Sequence, residues 1–189
     1  MALTAQTLQA TNPADVAAFY KIYAQEWADS YASEIDQQAL FNEYVNSQTT
    51  IYLLKLGGEV IGGCEVALPN ENNNFRVPCQ DYVEGLEPFL SESILKKHAY
   101  CEITKVVIAR ARRSSNYLKH LLSQVVVDVH DLGVEALLSY STYQHSVLYQ
   151  RVYRAGIIEN IQYEVYRNLF NIDIKGVNKE FCLAVYSRG

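Results

Sequence analysis

The segment EITKVVIARARRSSNYLKHLL, residues 102–122, gathers more reactive and anion-binding groups than any other part of the chain. A run of Ile and Val empties into Arg110, Arg112 and Arg113, then into Ser114, Ser115 and Asn116, and then into a sequence of helical character. N–H groups at a helix start lack internal partners and lie at the positive end of its dipole, so a strand–turn–helix of this kind holds phosphates well. The glycines that usually let such a backbone approach its anion are absent. Hydroxyls, the Asn116 amide and the arginines must then carry more of the recognition. The alternative is a Ser-capped surface helix behind a basic turn. Glu102 and Thr104 lie two apart and share one strand face. A carboxylate there either faces a cleft as a proton acceptor or is buried and paired, with Arg76 among the candidate partners. Tyr149 and Tyr153 lie one helical turn apart and also share a face.

Other chemistries find less support. Cys64, Cys79, Cys101 and Cys182 form no CxxC pair, and the four histidines do not join them at metal-ligand intervals, so no metal is expected. Cys64, Cys101 and Cys182 sit in apolar runs, where Cys acts as a small hydrophobe. His98, His120 and His130 have no Ser or Cys arrangement that suggests a triad and read as surface or capping residues. The net charge of −5 argues against nucleic acid as a partner. Within that acidic chain Lys105, Arg110, Arg112, Arg113 and Lys119 are clustered, which keeps a local anion site in view.

A length of 189 residues, 49% of them hydrophobic and only 20% charged, implies a single compact domain over 1–189. No signal peptide or membrane span is read, so the expected setting is cytoplasmic. Thr11 or Asn12, Pro13 and Asp15 predict a helix start, with Val16, Phe19, Tyr20 and Tyr23 recurring behind it. A second helix is expected over 34–45. A hairpin follows, split by Gly57-Gly58. Then come the polar loop NENNN, a short helix over 83–97 and a strand over 100–108. The 117–132 helix rests on period and stops at Gly133, although Val125-Val126-Val127 would suit a strand. A strand over 135–141, a helix capped by Ser146 and stopped by Gly156, and a closing hairpin turning at Lys175-Gly176 complete the chain. The order predicts a mixed α/β sheet with one parallel crossover.

The residues VVIARARRSSNYLKHLL, in that element order, resemble the strand–loop–helix of the GNAT superfamily of N-acyltransferases. Arg113 falls on the leading Arg of its Arg/Gln-x-x-Gly-x-Gly/Ala loop, and Asn116 and Leu118 on its glycine positions. CEITKVVI, RVYRAGI and ALPN look like motifs of the acyl-homoserine-lactone synthases and N-acyl amino acid synthases, an autoinducer-synthase-like branch of that fold. The chain departs from the branch with Lys105 for Arg, Val66 for an Arg, and Ala39 for the second Asp of an Asp-x-x-Asp pair.

The resemblance implies a GNAT fold: a mostly antiparallel mixed sheet with a central parallel strand–helix–strand crossover, flanked by helices. It implies acyl transfer from coenzyme A, or from the phosphopantetheine of an acyl carrier protein, to the amine of a small molecule. The donor would lie on Val106, Ile108, Arg112, Arg113, Ser114, Ser115, Asn116, Tyr117 and Leu118. Glu102 would act as base, and Tyr149 or Tyr153 would protonate the leaving thiolate. Trp27, Thr104, Lys105 and Ser141 would contact the acceptor. An acidic carrier protein would be steered by the basic cluster, which coenzyme A would use equally. A GNAT-fold protein that binds an acyl thioester without turnover is the competing expectation.

Overall fold

The computed structural model describes residues 4–31, 34–47, 49–154, 161–174 and 177–188. Asn12 opens the first helix: its Oδ1 accepts the Asp15 N–H at 2.9 Å, and Pro13 takes the first helical position. Helix α1 (Pro13–Tyr31) then turns Val16, Phe19, Tyr20 and Ala24 inward. Helix α2 (Gln37–Ser47) begins later than expected, because Asp36 caps it by accepting the N–H groups of Gln38 and Ala39. Strand β1 (Ala5–Gln9) precedes α1 and was not anticipated. Its AQTLQ sequence has weak β propensity, and pairing with the next strand makes it a strand.

Strands β2 (Thr50–Leu56) and β3 (Glu59–Ala67) form the expected hairpin. Gly57 and Gly58 take φ of 61° and 89°, as a two-residue turn of this hand requires. Residues 83–97 do not make one helix. Only α3 (Glu92–Lys97) forms, capped by Ser91, behind single 3₁₀ turns at Glu71–Asn73 and Pro78–Asp81. Gly85 and Pro88 disfavour helix in the first half of that segment.

The parallel crossover is present. Strand β4 (Tyr100–Ile108), helix α4 (Ser115–Asp131) and strand β5 (Ala136–Ser141) follow in turn, with Tyr100 opposite Ala136. Helical period overrides the β propensity of the Val run, because Leu121, Leu122, Val125 and Val129 bury one stripe of α4. Helix α5 (Tyr143–Arg154) starts ahead of Ser146, which therefore does not cap it. Ser146 is buried inside the first turn, and its N–H bonds to the Thr142 carbonyl at 3.1 Å. Strands β6 (Ile161–Ile174) and β7 (Val177–Arg188) form the closing hairpin. Gly156 and the turn at Lys175-Gly176 lie outside the described residues.

The seven strands run in the order β1-β2-β3-β4-β5-β7-β6. The β4–β5 pairing is parallel, while β1–β2, β2–β3, β5–β7 and β6–β7 are antiparallel. This is the mixed, mostly antiparallel α/β sheet that the element order predicted.

Two compact units can be distinguished: Met1–Val66 with Lys105–Val125, and Ala67–Thr104 with Val126–Gly189. In the first, Val16, Phe19, Tyr20, Ile51, Leu53 and Val107 share a core. Gly62 is required there, since a Cβ would lie 2.3 Å from the Val107 carbonyl oxygen. In the second unit, Cys79, Leu86, Leu90, Tyr100, Leu138 and Leu183 share another. All four cysteines are buried and outside any disulfide. Among the described residues no helix is long and apolar enough to cross a membrane.

Candidate functional site

In the first unit β4 ends at Ile108, and Arg110–Arg112 wind one 3₁₀ turn between Ala109 (φ −49°) and Arg113 (φ −60°). The described non-glycine residues with left-handed backbone are Asn74, Phe75, His98 and Lys105, all outside this turn. The turn therefore closes without the conformation that glycine would supply. Ser114 starts α4: its Oγ accepts the Tyr117 N–H and its carbonyl the Leu118 N–H, each at 3.2 Å. Helix geometry leaves the N–H groups of Ser114, Ser115 and Asn116 to be met from outside the helix. Ser114, Asn116 and Arg112 are exposed, Tyr117 and Val106 half-buried, and Leu118 and Ile108 buried. Arg113 is already engaged. Its Nη2 pairs with Glu26 Oε2, its Nε donates to the Ile108 carbonyl at 3.2 Å, and Glu26 Oε1 accepts the Arg110 N–H at 2.6 Å.

Lys105 takes φ of 49° in the middle of β4. Its ammonium lies 2.8 Å from Glu65 Oε2 and 3.9 Å from Glu43 Oε1. Glu65 is only 3% exposed, and its other oxygen accepts the Tyr20 hydroxyl at 2.5 Å. A buried carboxylate is thus satisfied by one phenol and one ammonium. Burial, reinforced by the Glu65 charge, pushes the Tyr20 phenol well above its ordinary value. Its folded value exceeds the unfolded one near 10, so the stability it contributes is complete below about pH 10 and is lost as pH rises further. Thermal melts from about pH 8 to 11 should show the melting temperature falling at the alkaline end, and Tyr20→Phe should flatten that fall. An unchanged alkaline slope in Tyr20→Phe would contradict this assignment. Trp27 lies half-buried on α1, its ring 6.0 Å from Tyr23 and 4.5 Å from Tyr31.

In the second unit Glu102 is fully buried, at 0% exposure. Its Oε2 accepts the Cys79 N–H, 2.6 Å away, from the Pro78–Asp81 turn. Arg76 does not pair with it; being exposed on its loop, Arg76 bonds to the Gln80 carbonyl and Asp81 instead. Burial first, and then the Glu102 charge, push the Cys79 thiol up. Thr104 is buried. Ser141 Oγ lies 3.0 Å from Ser146 Oγ. Of the two helical tyrosines, Tyr149 is 9% exposed and stacks on the exposed His145, whereas Tyr153 is 2% exposed and packs edge-on against Tyr186. Tyr163, 5.1 Å from Tyr186, is pushed up to about 12, mainly by burial, which makes it a poor proton donor near neutral pH.

Four participants were missed from sequence: Tyr20, Glu26, Glu65 and Cys79. Two of them carry a signal. Glu26 falls seven residues after Phe19, on the apolar stripe of α1, and Glu65 interrupts the apolar run VIGGCEVAL. Tyr20 and Cys79 look like ordinary core residues until their partners are known. A cavity of about 520 Å³ in the second unit is lined by Phe89, Leu90, Ile94, His130, Glu135 and Glu164 among others, and by none of the expected site residues.

No family model and no curated protein matches the sequence. Solved structures do match in fold. FeeM, an N-acyl amino acid synthase from uncultured soil microbes, superimposes with a TM-score of 0.68 at 11% identity, over 98% of this chain and 91% of its own. A candidate acetyltransferase of Salmonella typhimurium, yncA, solved with its cofactor acetyl-CoA, gives 0.63 at 14% identity, over 100% and 95%. The AHL synthase LasI gives 0.59 at 15% identity, over 97% and 89%. The fold is therefore the one these acyltransferases share.

Proposed function

We propose that residues 1–189 act as one N-acyltransferase domain. It moves an acyl group from coenzyme A or a carrier-bound phosphopantetheine to the amine of a small molecule or amino acid. The observation that carries this reading is the 110–118 turn, which leaves three consecutive N–H groups at a helix start beside exposed arginines. A pyrophosphate or pantetheine phosphate accepts several hydrogen bonds there at once. Val106, Ile108, Tyr117 and Leu118 supply the apolar flank, and Ser114, Ser115, Asn116, Arg112 and Arg113 the polar one. Buried cysteines outside any disulfide suit a reducing compartment such as the cytoplasm.

In this reading Glu102 takes the proton from the attacking amine, through a water because the carboxylate is buried. Tyr149 returns a proton to the departing thiolate. It is the better candidate of the helical pair, since Tyr153 is committed to packing on Tyr186. Trp27 and Lys105 in the first unit, and Thr104 and Ser141 in the second, are the candidates for contact with the acceptor. A second reading, binding without turnover, draws on the commitment of Arg113 to Glu26. Native mass spectrometry of freshly purified protein tests the donor assignment. A mass increment of coenzyme A or an acylated form supports it, while failure to retain or take up either coenzyme A or a holo carrier protein rejects it.

A further inference from the structure

We infer that Glu26 is a positioning residue for the donor turn, its single carboxylate supplying the restraint that glycine geometry supplies elsewhere. The inference rests on the reading of residues 110–118 as the donor site. Glu26 arrives from α1, 84 residues before Arg110 and 87 before Arg113, and its side chain is 10% exposed. One oxygen holds the N–H of the residue that begins the 3₁₀ turn; the other holds the guanidinium of Arg113, the residue that follows it. Through Arg113 Nε the same network reaches the Ile108 carbonyl, the last of β4. One carboxylate therefore ties strand end, turn start and turn end together.

Other backbone N–H groups around the turn are committed as well. Ala109 N–H bonds to the Ile61 carbonyl at 2.9 Å, Arg112 N–H to Ala109 at 2.7 Å, and Arg113 N–H to Arg110 at 3.3 Å. The next N–H groups along the chain are those of 114–116, which are the ones a phosphate would take. A turn already fixed in this form need not be ordered when the donor arrives, and that ordering cost is what preorganisation removes. The Glu26 side chain is 10% exposed and that of Arg113 50%, so losing the arginine leaves a largely buried carboxylate uncompensated, whereas losing the carboxylate leaves a guanidinium that water reaches. Arg110 and Arg112, both exposed, add charge for the anion beside the engaged Arg113.

Calorimetric titration of coenzyme A into wild type, Glu26→Gln and Glu26→Ala tests the assignment. Gln keeps an oxygen for the Arg110 N–H and loses the ion pair; Ala loses both. The expected order is a Kd raised about tenfold for Gln and about a hundredfold for Ala. With donor saturating, kcat should stay within about threefold, since this residue touches no reacting atom. If the Ala variant does not fold, Glu26→Gln combined with Arg113→Gln carries the test, and the double variant should bind no worse than Arg113→Gln alone. An unchanged Kd in a folded variant with a lower melting temperature would make Glu26 purely structural and overturn the inference. Tighter binding would make it a competitor for Arg113 and overturn it as well. A wild type that does not bind coenzyme A or holo carrier protein rejects the donor reading itself, and the inference with it.

Discussion

Ser115→Pro is expected to weaken coenzyme A binding by about ten- to a hundredfold while leaving helix α4 folded, the loss of one hydrogen bond to a charged group. Ser115 is the first residue of α4, where proline is favoured because that N–H has no helical partner. Proline also restricts the preceding residue to extended backbone, which is what an N-cap such as Ser114 normally adopts. The substitution thus removes one donor from the proposed anion site and little else. Ser115→Ala separates the two groups that proline deletes, since it removes the hydroxyl and keeps the N–H. Calorimetry on both variants, with melting temperatures as control, decides the matter. A folded Ser115→Pro protein with wild-type affinity would show that no phosphate sits on this helix start.

Glu102→Gln is expected to lower kcat by about 10²–10⁴ with little change in donor affinity, the usual worth of a general base. Gln has the size of Glu and retains an oxygen for the Cys79 N–H, so the Pro78–Asp81 turn keeps its anchor. What it lacks is the ability to take a proton. Burial makes this variant decisive, because a purely structural carboxylate at 0% exposure would show its loss in stability instead. Wild-type kcat with a lowered melting temperature would assign Glu102 to the fold and leave the proton to water or another group.

What the sequence made legible was local. Asn12 and Pro13 set the start of α1, Gly57 and Gly58 set the hairpin, and apolar period separated β4 from α4. Each of these is decided within one or two turns of chain. The features missed depend on residues far apart. Strand β1 exists because β2 pairs with it, and Ser146 is buried because Thr142 starts the helix earlier. That the turn lacks glycine was legible, but how it closes without glycine was not. It depends on a carboxylate from α1 and on a backbone whose φ values stay negative. Lys105 shows the same limit. The resemblance marked it as a binding residue, but only the structure reveals that Glu65 and Glu43 lie beside its ammonium and that its own backbone is left-handed.

The central claim is acyl transfer, and its most direct measurement is thiol release coupled to product mass. Purified protein is mixed with a panel of acyl-CoA and acyl-carrier thioesters, with and without pooled small amines and amino acids. The account predicts free thiol that appears faster when amines are present, matched by an amide product whose mass equals amine plus the corresponding carboxylic acid minus water. It predicts loss of both signals in Glu102→Gln. Tight thioester binding with no amine-dependent thiol release and no amide, across the whole panel, would contradict it and leave a protein of this fold that binds donors without turning them over.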